Sequence, residues 1–437
     1  MRNIGIDQIK AGGEGNAASP LATFVFFAWT FTILCRPQDY LTFLDAVRPA
    51  LSLGVVTLLL SFTVKGAGLP LMNSQLRMYA ALLGVLFFSS LFSIYTSASI
   101  GDYLHYAFTA CFVFIFGKMV TTAGALTRTV RLCCIGIGIY CLCILGYGEN
   151  IQDRIVFGTM FDPNDIAYYV LGFLPFNLIM IRSGPVMKLL GAGNIVLGLT
   201  TILRTGSRGG LLGLILVLGY LLLKQTKTLA LRFPARMIIL VVSLAAFQVA
   251  QINVDRFKSI MEVESDYNAT DEQGRIAIWK VGLRLIAENP LTGVGFNRFT
   301  EGVGRDRQER DLDQARWQTA HNSVIQIGAE AGVPGLILFI ALTVNAFKIF
   351  RRSTRSSSAE VAQIAEMAAA GFLGQFVSAL FLSQAYSAYW AFYIAISSLL
   401  LRLMEQERGE PGKTGLGAAA PRAVPAIPGA GNARYRA

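Results

Sequence analysis

The chain has 437 residues, 54% of them hydrophobic and only 15% charged, with a mean hydropathy of +0.51 and a formal charge of +11. This balance lies outside the range of soluble globular domains and, with apolar runs recurring along almost the whole length, excludes a large soluble domain. The positive charge collects between apolar runs, so no nucleic-acid partner is expected from it.

A bilayer core needs about 20 consecutive apolar residues per spanning helix. About twelve spans are expected, near 19–35, 47–64, 77–96, 102–120, 129–147, 163–182, 186–204, 207–224, 234–252, 329–349, 362–383 and 386–402. The first follows Arg2 and Lys10 but precedes no small-x-small cleavage site, so it reads as a retained helix. Six cysteines lie in or beside apolar runs without zinc-site spacing and read as packing residues. Placing both termini in the cytoplasm makes every internal cytoplasmic loop basic, for example Lys224, Lys227, Arg232 and Arg236, or Lys348, Arg351, Arg352 and Arg355. Outer loops then carry isolated arginines at 36, 154, 204 and 208, and the positive-inside rule sets the orientation. The expected organisation is a cytoplasmic N-terminus over 1–18, nine spans over 19–252, a large outer loop over 253–320, three spans over 321–402 and a disordered cytoplasmic tail over 403–437.

In chain order, the first polar motif is Asp162-Pro-Asn-Asp165, which opens the sixth span. Asp before Pro in a first turn signals a helix N-terminus, and capping explains much of it. Asp162 and Asn164 are also candidates for sugar hydrogen bonding, because the second polar pair exceeds what a cap requires. Arg204-Thr-Gly-Ser-Arg208-Gly-Gly210 lies at the next outer turn. Two guanidiniums four residues apart can converge on one anion, and the glycines would admit close backbone approach and leave helix-start amides free. The alternative is that Arg204 and Arg208 snorkel to lipid headgroups.

Loops as long as 253–320 are uncommon unless they carry function. Within it, Ile276, Trp279, Leu283 and Ile286 fall at helical spacing, so a helix over 275–289 is expected on the membrane or over the bundle, ending at Asn289-Pro290. Arg275 at its start is a third candidate cation, though alone it would be an ordinary surface arginine. Asp311-Leu-Asp313 sits among arginines and does not make a metal site, and no metal or other cofactor is expected. Gly293-Val-Gly295 lacks the strand of a dinucleotide fingerprint. His321, where the loop meets the next span, has the side chain whose ordinary pKa suits proton abstraction near neutrality. A helix-start histidine is also commonly a cap or a packing residue. His105, the other histidine, reads as structural.

This ordered set, from the Arg204–Gly210 turn through Arg275 with Trp279, Asn289-Pro-Leu-Thr-Gly-Val-Gly-Phe296, His321-Asn-Ser and Glu330-Ala-Gly-Val-Pro-Gly335, resembles the O-antigen ligase and polymerase superfamily. The resemblance implies an all-α polytopic membrane fold of the class C glycosyltransferase kind, with about 12 transmembrane helices and a large helical periplasmic loop. It implies a multi-pass protein of the bacterial inner membrane with a periplasmic active site. The implied donor is an undecaprenyl-diphosphate-linked glycan and the implied acceptor is lipid A-core oligosaccharide. Carried over by position, Arg204, Arg208 and Arg275 would hold the diphosphate and His321 would activate the acceptor hydroxyl. A polymerase or a protein O-oligosaccharyltransferase would share the donor and differ in the acceptor. A lipid-linked glycan transporter would be expected to show repeats or charge along an intramembrane pathway, and the charge here gathers at one face.

Overall fold

The computed structural model describes residues 18–64, 72–158, 162–224, 274–310 and 317–408. The span expected at 234–252, Asp311-Leu-Asp313, the N-terminal basic residues and the tail from 409 lie outside the described residues.

The described residues form fourteen α-helices: α1 Pro20–Cys35, α2 Pro49–Thr63, α3 Ser74–Leu91, α4 Thr96–Met119, α5 Ala123–Tyr147, α6 Pro163–Phe173, α7 Asn177–Ile181, α8 Pro185–Arg204, α9 Arg208–Lys224, α10 Arg275–Glu288, α11 Phe299–Glu309, α12 Ser323–Ser353, α13 Ala359–Ala379 and α14 Ala388–Glu407. Six segments are long and apolar enough to cross a membrane: α3, α4, α5, α6 with α7, α8 and α12. Helices α1, α2 and α9 are apolar but shorter. Outward-facing apolar side chains such as Phe62 and Leu189, 76% and 75% exposed, suit a lipid solvent rather than water. These features indicate a polytopic, mainly α-helical membrane protein. The sixth expected span is interrupted by a 3-10 turn at Leu174–Phe176, where Pro175 supplies no amide hydrogen. Helix α14 continues to Glu407, past the expected end at 402.

The departure from an all-α chain is a hairpin between α5 and α6, β1 Glu149–Ile151 paired antiparallel with β2 Arg154–Val156. Its turn residues Gln152 and Asp153 both have positive φ, as a two-residue hairpin whose twist matches its strands requires. Helix α9 packs on α6 and α13, and α12 packs on α3, α13 and α14. Helices α10 and α11 form a layer against α12 with its own small core of Ile278, Leu285, Phe299, Val303 and Ala329.

What fastens that layer is a break in α12. Gly332 there has φ +66°, and Pro334 cannot donate to the Glu330 carbonyl. Two carbonyls are therefore stripped of their helical partners, and Asn289–Phe296 answers them. Val294 N–H donates to Ala329 O at 2.8 Å, Gly295 N–H to Glu330 O at 3.2 Å, and Val333 N–H to Pro290 O at 2.8 Å. Ser89 of α3 also donates to Glu330 O at 2.6 Å, and the Glu330 carboxylate accepts from Phe299 N–H at 3.0 Å. The two glycine-proline segments of the sequence are thus halves of one clamp, with every broken backbone bond replaced.

Candidate functional site

His321 lies at the entrance to α12. It does not cap that helix: Asn322 does, its Oδ1 accepting from Val324 N–H at 2.9 Å and Ile325 N–H at 3.1 Å. His321 instead has a left-handed backbone, φ 45°, and its N–H donates to Ser383 Oγ at 3.0 Å. Its Nε2 is 3.3 Å from Thr319 Oγ1. One residue earlier, Ala320 O accepts from Trp279 Nε1 at 3.1 Å, which pins α10 to the segment leading into the histidine. Arg275 is four residues before Trp279 on the same helix, so this bond brings the Arg275 side toward His321. The consequence is electrostatic. Burial lowers the His321 pKa below its usual 6.5, the Arg275 charge lowers it further, and Asp162 opposes both. The neutral ring is therefore the form present near pH 7.

The arginine turn is built by two helix ends. Helix α8 stops because Gly206 takes a left-handed φ of 58°, its N–H donating to Leu203 O at 3.1 Å. Ser207 precedes α9 and caps it, its Oγ accepting from Gly210 N–H at 3.1 Å. The expectation that the glycines leave helix-start amides free for an anion fails at Gly210, whose N–H is satisfied by Ser207. Gly209 and Gly210 serve packing: a Cβ would stand 3.1 Å from Phe381 and 2.6 Å from Ala167. Arg204 donates from Nη2 to Asn150 Oδ1 of the hairpin at 3.0 Å, whereas Arg208, half-buried, is the first residue of α9.

Arg154 of the hairpin joins this turn to the start of α6. Its Nε donates to Thr205 O at 2.8 Å, and its Nη2 donates to Asn164 Oδ1 at 2.9 Å and stands 3.8 Å from Asp162 Oδ1. Asp162 caps α6, accepting from Asn164 N–H at 2.8 Å and from Asn164 Nδ2 at 2.6 Å. Asp162 and Asn164 thus lie at the same end of the bundle as His321, engaged in bonds with each other. Asp165 accepts from Gln384 Nε2 at 2.7 Å, and Gln384 N–H donates to Ser323 Oγ at 2.9 Å, which returns the network to the start of α12.

Several members of this network escaped the reading of the sequence. Arg154, Gln384 and Ser383 carry no local motif, and only the fold places them beside Thr205 and His321. Arg36 is another. At the end of α1 it donates from Nε to Asp39 Oδ2 at 2.7 Å, and the fully buried Asp39 carboxylate also accepts from Tyr140 at 2.9 Å. The charges of Arg36 and Asp165 lie within electrostatic reach of each other. The signal was present as arginines on the face where the charge rule disfavours them. His105 lies away from the network, its Nδ1 bonded to Gly101 O at 2.9 Å. Among the described residues no group of three or more His, Cys, Asp or Glu could hold a metal ion.

A search of curated proteins returned no match. Against family models, residues 193–340, about a third of the chain, match the family described as O-antigen ligase, a stretch that contains Arg204, Arg208, Arg275 and His321 and in which this chain is similar to those ligases.

Proposed function

We propose that this protein is an O-antigen ligase that moves a glycan from undecaprenyl diphosphate to lipid A-core oligosaccharide at the periplasmic face of the bacterial inner membrane. The observation that carries the reading is the company of His321: a histidine held neutral beside Arg275 and Asp162, at the bundle end where the Arg204–Arg208 turn is bonded through Arg154 to Asn164. The family match over 193–340 supports it.

In this reading the acceptor hydroxyl oxygen attacks the anomeric carbon of the lipid-linked sugar. The new glycosidic bond forms as the bond from that carbon to the diphosphate oxygen breaks, with its electron pair passing to the leaving group. His321 takes the hydroxyl proton, the role for which a neutral imidazole is suited. Negative charge grows on the departing diphosphate, and Arg275, Arg208 and Arg204 stabilise it there. Guanidinium forks suit phosphate oxygens, and bond energy stored in the donor removes any need for a nucleotide. Asp162 and Asn164 bind sugar hydroxyls or hold His321 in place, and no metal ion takes part.

The test is transfer by purified protein in liposomes containing EDTA, with undecaprenyl-diphosphate glycan as donor and lipid A-core as acceptor. Wild-type transfer to lipid A-core, lost in folded His321→Ala and Arg208→Ala variants, is expected. Lengthening of the lipid-linked glycan would make the enzyme a polymerase, and glycosylated serine or threonine would make it a protein oligosaccharyltransferase. Full activity in both variants would overturn the site.

A further inference from the structure

A second feature lies at the other end of the bundle. Helices α1 and α5 run side by side, and both end near the network above: α1 at Arg36, and α5 at Gly148, where the hairpin begins. They meet closely at Gly136, where a Cβ would come within 2.5 Å of both Cys35 Sγ and Phe31 Cε2. Toward their N-termini they diverge, and the wedge between them is a groove of about 490 Å³ lined by Phe24, Phe27, Ala28, Phe31, Arg128 and Leu132, with Thr32.

Apart from Thr32, whose hydroxyl donates to Ala28 O at 2.8 Å, the lining is apolar except at one mouth. Arg128, in the second turn of α5, is exposed, and among the described residues nothing bonds or pairs with it. Arg131, one turn further in, donates to Ser183 Oγ at 2.8 Å and adds a second positive charge to that end of α5. From Arg128 to Tyr147 the helix rises by about 28 Å at 1.5 Å per residue, so the Arg128 mouth of the groove is remote from His321 and the arginine turn. Its Phe24 is 71% exposed although the neighbouring Phe26 is buried, so the groove faces outward, where lipid chains would lie.

We infer that this groove is a binding site for one anionic phospholipid, an acyl chain lying along Phe24, Phe27 and Phe31 and the headgroup phosphate against Arg128. The charge complementarity decides the headgroup: basic residues at the mouth of an interhelical pocket recognise anionic lipid headgroups, whereas a zwitterionic lipid brings its own cation to the same place. Aromatic rings, with the one hydroxyl of the lining spent on Ala28 O, suit an apolar acyl chain. The phosphate is taken singly, by a side chain that lies a full membrane thickness from the proposed diphosphate site.

The experiment uses full-length protein in phosphatidylethanolamine nanodiscs containing a small fraction of phosphatidylglycerol with a diazirine at mid-chain. Photolabelled peptides are identified by mass spectrometry. Label is expected on 24–32 and at Leu132, several-fold above that from a phosphatidylcholine probe of the same chain. Arg128→Ala is expected to reduce it several-fold. Ala28→Trp, which fills the groove and keeps the charge, is expected to abolish label at Leu132. Equal labelling by phosphatidylcholine, or unchanged labelling in Arg128→Ala, overturns the proposal. So does displacement of the probe by equimolar undecaprenyl phosphate, which would make the occupant the carrier lipid. Labelling does not depend on transfer activity, so failure here and failure of the ligase reading are separate results.

Discussion

If His321 is the base, three substitutions around it must move the reaction in different ways. His321→Ala removes the proton acceptor and leaves the arginine turn, and general-base catalysis contributes about 10²–10⁴-fold, so transfer should fall by that factor, roughly 2.7–5.4 kcal/mol of barrier. The pH profile carries the sharper test. Burial and then Arg275 hold the His321 pKa below 6.5, with Asp162 pulling the other way. Wild-type transfer should therefore rise with pH along a limb whose midpoint lies below 6.5 and level off toward neutrality and above. Arg275→Gln deletes a charge that disfavours the imidazolium, so its limb should move to higher pH. Asp162→Asn deletes a charge that favours it, and its limb should move to lower pH. The two limbs must move in opposite directions under this electrostatic arrangement, and lost diphosphate binding in Arg275→Gln lowers the plateau as a separate effect. Initial rates of glycan transfer from pH 4.5 to 8.5 measure all three. An unmoved limb in both variants, or a His321→Ala rate within threefold of wild type, refutes the assignment.

Other expectations concern how the site is held. Trp279→Phe keeps an aromatic ring and loses the indole N–H bond to Ala320 O, worth about 0.5–1.5 kcal/mol, so transfer should drop several-fold with little change in melting temperature. Gly332→Ala places a Cβ 2.6 Å from Pro290 O on a backbone with φ +66°, and roughly 1–3 kcal/mol of strain plus that clash should lower the detergent melting temperature clearly. Burial tends to raise the Asp306 carboxyl, but hydrogen bonds from Arg284 and Arg310 outweigh it and hold its pKa below 3.8. The stabilisation is thus complete above pH 3.8 and lost as pH falls through the lowered folded value, and hydrogen exchange in α10 and α11 should accelerate there first.

Much of the helical layout was legible because apolar runs of the right length carry it directly. The helix at Arg275–Glu288 was visible from the spacing of Ile276, Trp279, Leu283 and Ile286, and its end from Asn289-Pro290. The hairpin at Glu149–Val156 was not, because two three-residue strands have no periodicity to read and Gln152-Asp153 is not an ordinary signal for positive φ. The break in α12 could be suspected from Gly332 and Pro334, yet its use as a clamp depends on Asn289–Phe296 arriving from elsewhere. For the site, sequence supplied the chemically distinctive residues, His321 and the arginines at helix ends. Arg154 was legible only as an isolated outer arginine, and Ser383 and Gln384 not at all, because their roles come from partners 51, 62 and 219 positions away.

That division explains why the matched stretch does not by itself make a site. Residues 193–340 contain the arginine turn, Arg275 and His321, but not what fixes them relative to one another. The turn is held by Arg154 from the hairpin, and His321 by Ser383 from the loop before α14. Asp162, which opposes Arg275 in setting the charge state of His321, comes from the start of α6. A guanidinium bonded at once to Thr205 O and Asn164 Oδ1 ties the start of α6 to the arginine turn. In the proposed site the helices outside the matched stretch therefore matter: they set the distance between the charges proposed for the leaving group and the proposed base.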